Sequence, residues 1–515
     1  MTDFPWLTTI GAVPLLGAVV VAALPRKAER LAKLLTLAVT GLVLALVIGV
    51  SLAFTPGGGF QFTESVPWIP SFGARYSVGV DGVGLSLLAL VAVLMPVVVL
   101  ASWHEAAGGS RPVRSFFALM LALEATLVGV FVATDVLLFY VFFEAMLVPM
   151  YFLIGSFGGP RRSYAAVKFF IYSLLGGLLM LAAVIGLYVV SAQLLGEGTF
   201  DLQALSDLEI DPATQRWLFL GFFIAFAIKA PLFPFHTWLP DAGAEAPTGA
   251  AVLLVGVLDK VGTFGFLRFC IPLFPEASNF FAPAVMVLAV VGIFYGALLA
   301  MGQTDLKRLV AYTSVAHFGF ITLGIFAFTS QGGTGAVLYM VNHGLSTGAL
   351  FLIVGMLAAR QGTRHIEAFG GVAKVAPLLA GAFLLAGLSS LALPGTSPFV
   401  SEFLVLLGTY RTAPVVAVIA TLGIILAAMY ILLAYQRTMT GPLRPGLEGL
   451  RDLGGRESAV LAPVLALILV LGFYPAPLLD VITPDVQATY DGAGFSDPAP
   501  SLPAAAEASP DGSPR

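Results

Sequence analysis

Long apolar stretches separated by short polar loops occupy most of the 515-residue chain. Their lengths match the roughly 20 residues that a helix needs to cross the hydrocarbon core of a bilayer. The pattern predicts an all-α polytopic membrane protein of about fourteen transmembrane helices. They lie near residues 4–24, 34–54, 80–101, 115–133, 135–156, 167–191, 216–239, 248–271, 280–301, 307–329, 334–359, 376–410, 413–436 and 458–480.

Two of these segments, the seventh and the twelfth, contain prolines that interrupt a continuous helix. The twelfth, residues 376–410, is also too long for one straight span. We expect residues 229–234 and 394–398 to depart from helical geometry. The candidate hinge residues are Pro231, Pro234, Pro394 and Pro398. Because the two segments are five apart, corresponding helices run in opposite directions, which favours two inverted repeats of five helices.

Composition and charge support this class and orient the chain. Charged residues make up 10% of the sequence, against about 25% in soluble domains. The single cysteine, Cys270, excludes a disulfide framework and cysteine-based metal sites. Most of the 25 basic residues fall in loops on one side if the N-terminus starts outside, as the positive-inside rule predicts. Both termini are therefore expected outside.

The same pattern suggests a division of the chain. Residues 55–79 are rich in glycine and proline and are expected to form a loop. The expected parts are an N-terminal group of three helices (1–110), a first repeat (111–275), a second, inverted repeat (276–440), helix 14 (441–480) and a disordered Pro/Ala/Asp-rich tail (481–515).

Ionisable side chains inside the apolar segments are the strongest functional signal, because a charge near the bilayer centre costs about 2.5–3.5 kcal/mol on insertion scales. Lys229 lies two residues before Pro231, and Glu144 lies in the middle of the fifth segment. We expect Glu144 and Lys229 to lie within direct or one-water contact. Moving the carboxylate away would favour release of the lysine's proton, so the pair can work as a switch. A static buried ion pair is the alternative.

A second group of ionisable residues lies farther along the chain. Lys260 is in the eighth segment, and Glu402 follows the break in the twelfth. His317 and His343 lie in segments ten and eleven, and imidazole titrates near neutral pH. We expect these four side chains to form one polar chain bridged by waters, although each could instead be a hydrogen-bonded packing residue. Secondary candidates for proton transfer are Glu124, His236 and Asp259.

Several strings carry a resemblance to a known family: LLFYVFFEAMLVPMYFLIGSFGG, IKAPLFPFHTWLPDAGAEAPT, DLKRLVAYTSVAHFGF, NHGLSTGALFLIVG and LPGTSPFVSEFL. The chain resembles the antiporter-like, proton-pumping subunits of bacterial NADH–quinone oxidoreductase, respiratory complex I, and among them subunit M. The similarity runs from the third segment to the fourteenth. It implies fourteen transmembrane helices, two inverted repeats and a place in the membrane arm.

The resemblance also implies roles for individual residues. Glu144 would be the acid partner of Lys229, Lys260 the central lysine, His317 and His343 the connecting relay, and Glu402 the terminal proton site. The complex would use FMN, iron–sulfur clusters and quinone in other subunits, while this chain would bind no cofactor and no metal. Its expected partners are the lipid bilayer, protons and the sibling subunits L and N, with no nucleic acid, in the bacterial plasma membrane.

Two positions depart from the family pattern. Gly243 follows the WLPDA string where a histidine is usual, and Asp259 lies directly before Lys260. Two alternative functions remain open: an Mrp-type sodium/proton antiporter subunit, which shares the Glu–Lys arrangement, and a membrane-arm scaffold that does not pump. Glu402 favours subunit M, because subunits L and N more often carry lysine there.

Overall fold

The computed structural model of the chain describes residues 4–106 and 111–499. The N-terminal region contains four long helices and a β-hairpin: α1 (Trp6–Ala23), α2 (Glu29–Ala53), β1 (Gln61–Ile69), β2 (Ala74–Val80), α3 (Gly82–Ala101) and α4 (Val113–Val132). The Asp81 carboxylate caps α3 by accepting a hydrogen bond from the Gly84 N–H at 2.8 Å. Such a cap satisfies one of the free N–H groups at a helix start.

The hairpin replaces the loop expected for residues 55–79. Its strands are antiparallel, with Ser65 opposite Ser77. Gly73 makes the turn in the left-handed region, with φ 65°, where glycine has no steric penalty. Glu64 of β1 accepts a hydrogen bond from the Leu7 N–H at 2.8 Å. The loop prediction was wrong because this contact with α1 holds the segment in a defined conformation.

The first set of five apolar segments is made of longer helices and shorter fragments. These are α4, already described, α5 (Val136–Ala145), α6 (Leu147–Phe157), α7 (Arg162–Leu195), α8 (Leu202–Ser206), α9 (Pro212–Lys229), α10 (Trp238–Glu245), α11 (Thr248–Leu253), α12 (Lys260–Gly265) and α13 (Ile271–Leu273). Two π-helical turns, Leu254–Leu258 and Phe266–Cys270, lie on either side of α12. π turns inside helices occur frequently at functional sites.

The second set has the same arrangement of three long helices, one broken segment and one long helix. It contains α14 (Pro275–Met301), α15 (Leu306–Phe326), α16 (Ser330–Gln361), α17 (Pro377–Ser390), α18 (Ser397–Thr412) and α19 (Pro414–Met439). Two more helices follow, α20 (Gly455–Phe473) and α21 (Ala476–Gly492). In α15 the helix start is capped by Asp305, which accepts from the N–H groups of Lys307 and Arg308.

Twelve spans in the described part of the chain are long and apolar enough to cross a membrane. The seventh and the twelfth predicted segments are not among these twelve spans, and each is divided into two helices. The all-α polytopic class and the two broken helices are therefore confirmed. The total of fourteen spans, the inverted relation of the two sets and the boundaries of the proposed repeats stay predictions.

The two breaks differ slightly from their expected positions. α9 ends at Lys229, and Pro231 and Pro234 lie in the non-helical stretch before α10. The second break covers residues 391–396 and so contains Pro394. The prediction was wrong for Pro398, which lies in the first turn of α18. Proline is tolerated there because the N–H groups of the first turn have no partner within the helix.

Burial separates an inner group of helices from an outer one. The segment Thr248–Leu273 and helix α16 are buried along their apolar length, and α15 almost completely. Most side chains of α1, α2 and α20 are accessible instead. The inner helices carry Lys260, His317 and His343, so these ionisable side chains lie inside the protein rather than against lipid.

The last described helix corrects the expected disordered tail. Residues 481–492 belong to α21, which packs back onto the protein. The Tyr490 hydroxyl donates to the Ile325 carbonyl at 2.7 Å, and the Asp485 carboxylate accepts from the Gly82 N–H at 2.6 Å. The polar composition of this segment did not indicate a helix, although one face of α21 packs against the protein. Residues 500–515 of the expected tail lie outside the described residues.

Candidate functional site

The break after α9 places Lys229 at a helix end inside the protein. Lys229 is completely buried, and its ammonium has no hydrogen-bond partner. The ammonium lies over two aromatic faces, 5.1 Å from the Phe143 ring centre and 5.4 Å from that of Phe169. An aromatic face attracts a cation through its quadrupole. The site therefore accommodates a buried amine by aromatic contact rather than by an ion pair.

The broken backbone around Lys229 has its own partners. The Trp238 indole N–H donates to the Ile228 carbonyl at 2.8 Å, and the Leu232 N–H donates to the Ala227 carbonyl at 2.9 Å. Backbone polar groups at membrane depth must be paired inside the protein. These two bonds stabilise the interruption without using the lysine side chain.

Glu144 lies near Lys229 but does not contact it. Its side chain is half-buried on α5, and Oε1 has no hydrogen-bond partner. Oε1 fills the space beside Gly177 of α7, where an added Cβ would lie 1.6 Å from it. No ion pair within 4.0 Å joins Glu144 to Lys229, whose ammonium lies over the ring of Phe143, the residue before Glu144. The two side chains are not in direct contact, and the expected direct or one-water contact and the functional pairing stay predictions.

The central lysine, Lys260, occupies a different environment. Its ammonium lies 2.7 Å from Nδ1 of His343 on α16 and donates to the Val255 carbonyl in the preceding π turn. It also lies 5.2 Å from the Phe318 ring centre. Lys260 is thus in direct contact with one of the two histidines that the sequence predicted as its neighbours.

The path continues from His343 to Glu402 through side chains. The ring centres of His343 and His317 are 5.2 Å apart, and those of His317 and Tyr339 are 5.9 Å apart. The Tyr339 hydroxyl donates to Oε2 of Glu402 at 2.9 Å. The structure therefore brings together Lys260, His343, His317 and Glu402, as predicted from the sequence. Protein side chains cover more of the path than expected.

Sequence reasoning missed three polar residues of this path. Tyr339 contacts Glu402, the Tyr430 hydroxyl lies 3.2 Å from Nε2 of His317, and the Asn342 amide donates to the Ser397 carbonyl at 2.8 Å. Tyr339 could have been identified from its spacing, because it lies four residues before His343 and so on the same helix face. Tyr430, on α19, had no comparable signal.

The secondary candidates have separate locations. Both oxygens of Glu124, on α4, are buried without a hydrogen-bond partner, and the structure does not bring it to the path. His236 lies between α9 and α10, where its ring centre is 5.8 Å from that of Phe233 and 5.1 Å from that of Tyr295. Asp259 is completely buried, and neither carboxylate oxygen has a hydrogen-bond partner.

Helix α10 is buried and is held by ion pairs from two of its acidic side chains. Asp241 binds Lys168 of α7 at 2.8 Å and Arg308 of α15 at 2.6 Å. Glu245 binds Arg364 at 3.1 Å. These contacts tie the second half of the broken segment to both sets of helices. Among the residues that the structure describes, no group of three or more His, Cys, Asp or Glu side chains is placed to hold a metal ion.

The fold and this buried path define a class of protein: a polytopic membrane protein with two broken helices and an interior chain of ionisable side chains. The sequence model of the family described as NADH:quinone oxidoreductase/Mrp antiporter, transmembrane, matches residues 133–427. NADH-quinone oxidoreductase subunit M of Mycobacterium tuberculosis is 51% identical, over 98% of this chain and 97% of the relative. The chain therefore belongs to the NADH:quinone oxidoreductase/Mrp antiporter family, within its group of subunit M proteins.

Solved structures give the same architecture. A chain of respiratory complex I from Thermus thermophilus with bound NADH has a TM-score of 0.86 and 34% identity, covering 95% of this chain and 100% of that one. A chain of the Mrp complex from Dietzia sp. DQ12-45-1b also has a TM-score of 0.86, at 23% identity, covering 95% and 98%. The Mrp likeness shows the shared fold alone, so the Mrp alternative has less support.

Proposed function

We propose that this chain is a proton-translocating membrane-arm subunit of an NADH–quinone oxidoreductase. The observation that carries the proposal is the buried side-chain path from Lys260 through His343, His317 and Tyr339 to Glu402. Buried ionisable groups in a membrane protein are costly and usually mark an ion pathway. NADH oxidation and quinone reduction would occur in other subunits, which would hold FMN, iron–sulfur clusters and quinone.

The path is suited to proton transfer because its members both bind and release protons. A protonated Lys260 would donate its proton to Nδ1 of His343, leaving a neutral amine and an imidazolium. That imidazolium would pass a proton toward His317, and the Tyr339 hydroxyl lies between the histidines and the Glu402 carboxylate. Each step moves one proton and one positive charge, so charge is conserved along the path.

Glu144 and Lys229 would control this path. The Glu144 carboxylate is half-buried and makes no hydrogen bond through Oε1. Changing its position or charge would therefore break no hydrogen bond at Oε1 but would change the electrostatic field at Lys229. The expected partners are the sibling subunits L and N, and the expected location is the bacterial plasma membrane with both termini outside.

The proposal is tested with Glu144→Gln in the assembled complex. NADH-driven acidification of inverted membrane vesicles is compared with NADH oxidation and with assembly on a native gel. We expect pumping to fall about tenfold or more, because positioned acid–base groups typically contribute about 100-fold or more to rates. Glu197→Gln is the matched control, since Glu197 is exposed in the loop after α7.

Near-normal pumping by an assembled Glu144→Gln complex would contradict the proposal and favour a scaffold that does not pump. The sodium/proton alternative is tested in the same vesicles. If this chain carries protons, replacing sodium by potassium leaves the pumping rate unchanged. A rate that follows the sodium concentration would support the antiporter instead.

A further inference from the structure

Asp259 is a buried acid that the path described above does not use. It lies at the junction between the π turn Leu254–Leu258 and α12, and both carboxylate oxygens are buried without a hydrogen-bond partner. Among the described residues no side chain forms a salt bridge with it within 4.0 Å, although Lys260 is the next residue. A structural carboxylate is normally hydrogen-bonded or paired, because an unpaired one destabilises the protein. The isolation of Asp259 therefore calls for a role other than packing.

The helix geometry turns Asp259 toward Lys229. Gly262 lies three residues later and so on the same face of the helix. A Cβ added at Gly262 would be 2.4 Å from the Ala230 nitrogen and 2.5 Å from the Phe226 carbonyl oxygen. This face of α12 therefore packs directly against the end of α9, which carries Lys229.

Lys260 faces the other way. Its ammonium contacts His343 of α16 and the ring of Phe318 of α15. Adjacent helix residues point about 100° apart, which explains how neighbours in sequence face different helices. Asp259 therefore precedes Lys260 in the chain and lies on the face of its helix that packs against the end of α9, where Lys229 lies.

We propose that Asp259 carries protons between Lys229 and Lys260. The Lys229 ammonium would give a proton to the Asp259 carboxylate, leaving a neutral amine and a neutral carboxylic acid. The acid would then protonate the neutral amine of Lys260 and return to the carboxylate. One proton moves and the total charge is unchanged. This step joins the Glu144–Lys229 region to the histidine path, and it rests on the proposed proton-translocating function.

The test uses three variants in the assembled complex. Asp259→Asn keeps the shape but cannot accept the proton, Asp259→Leu removes the polar group, and Asp259→Glu keeps a carboxylate. We expect the Asn and Leu variants to pump about tenfold or more slowly in vesicles, with the Glu variant recovering most of the rate. The pH profile of pumping is measured for each variant.

A merely electrostatic role gives a different result. If the carboxylate only sets the charge near the lysines, Asp259→Asn will keep the maximal pumping rate and shift the pH at which it occurs. That outcome, or wild-type pumping by the Asn variant, overturns the proposal. If Asp259→Asn does not assemble, the pumping rate of Asp259→Leu tests the proposal instead. Failure of both to assemble, with assembly of Asp259→Glu, would assign Asp259 to folding and also overturn it.

Two reference variants separate this inference from the proposed function. Glu144→Gln and Lys260→Gln are measured in the same vesicles. If they lose pumping while Asp259→Asn keeps it, the role of Asp259 is wrong and the proposed function stands. If they pump normally, the proposed function fails, and the role of Asp259 fails with it.

Discussion

The regions around the two helix breaks hold their ionisable side chains in opposite ways. Beside the break after α9, the Lys229 ammonium and Oε1 of Glu144 have no hydrogen-bond partner. Beside the break before α18, Glu402 accepts a hydrogen bond from Tyr339. The first region contains ionisable groups without hydrogen-bond partners, and the second contains side chains in contact.

Under the proposed function, this difference suggests which region receives a signal from another subunit. Moving a hydrogen-bonded carboxylate requires breaking its bonds, whereas moving an unpartnered one changes mainly its Coulomb energy, which varies gradually with distance. Glu144 is also half-buried, while Glu402 is buried. Under the proposed function, the first region is suited to respond to its surroundings and the second to conduct protons.

Among the variants that test this comparison, Gly177→Ala in the first region is expected to have the largest effect. The new methyl group would occupy the position of Oε1 of Glu144 and force the carboxylate to turn away. A displacement of about 1 Å at a reacting group can lower a rate about 100-fold. We therefore expect pumping in vesicles to fall about tenfold, with the complex still assembled.

Gly41→Ala is the matched control for this substitution. Gly41 lies within α2, and a Cβ added there meets no atom within 4 Å. Both variants gain the higher helix propensity of alanine. Equal pumping by the two variants would show that the position of Glu144 is unimportant and would remove the contrast between the regions.

A smaller effect is expected in the second region from Tyr339→Phe. The variant removes the hydroxyl that donates to Glu402 and leaves the ring in place. A hydrogen bond contributes about 1 kcal/mol net, so we expect pumping to fall about threefold to tenfold. Tyr474→Phe provides the control, because Tyr474 is exposed beyond α20. Unchanged pumping would mean that Glu402 does not depend on this tyrosine.

The smallest effect is expected at a carboxyl group outside the spans, which serves as a reference for both regions. Burial, followed by repulsion from Asp81, raises the pKa of Asp485 to about 6, although the Gly82 N–H and Arg268 oppose the shift. The folded state therefore favours the protonated acid. The packing of α21 should be firmest below about pH 4 and should weaken as pH rises through about 6.

Hydrogen exchange of the α21 amides, corrected for the intrinsic effect of pH, measures this change. We expect exchange to become about threefold faster between pH 4 and pH 7 in the native chain. Asp485→Asn should remove that change and leave pumping unaffected. The same pH dependence in both proteins would show that Asp485 does not control the packing of α21.

The sequence alone predicted the parts of this protein that depend on rare residues in apolar surroundings. Lys229 with Pro231, and the long twelfth segment with Pro394, correctly indicated the two broken helices. The sequence also predicted that four ionisable side chains lie together, namely those of Lys260, His317, His343 and Glu402. Such residues are informative because their burial or backbone requirements leave few alternatives.

The remaining features depend on contacts between distant segments. Tyr339 and Tyr430 look like ordinary aromatic residues until their hydroxyl partners are known. The π turns before and after α12 have no signature in an apolar helical sequence. The hairpin and α21 were missed because their polar composition resembles that of a loop or a disordered tail, while packing determines their conformation.

The π turn before Lys260 also affects how related proteins should be compared. A π turn holds one residue more than the α-helical path through the same space. A relative with one residue fewer between positions 254 and 258 would present its lysine about 100° away, on the face that Asp259 occupies here. An alignment that places this gap elsewhere would match residues that face different helices. Equivalent positions in α12 should therefore be assigned from the helix that each side chain faces.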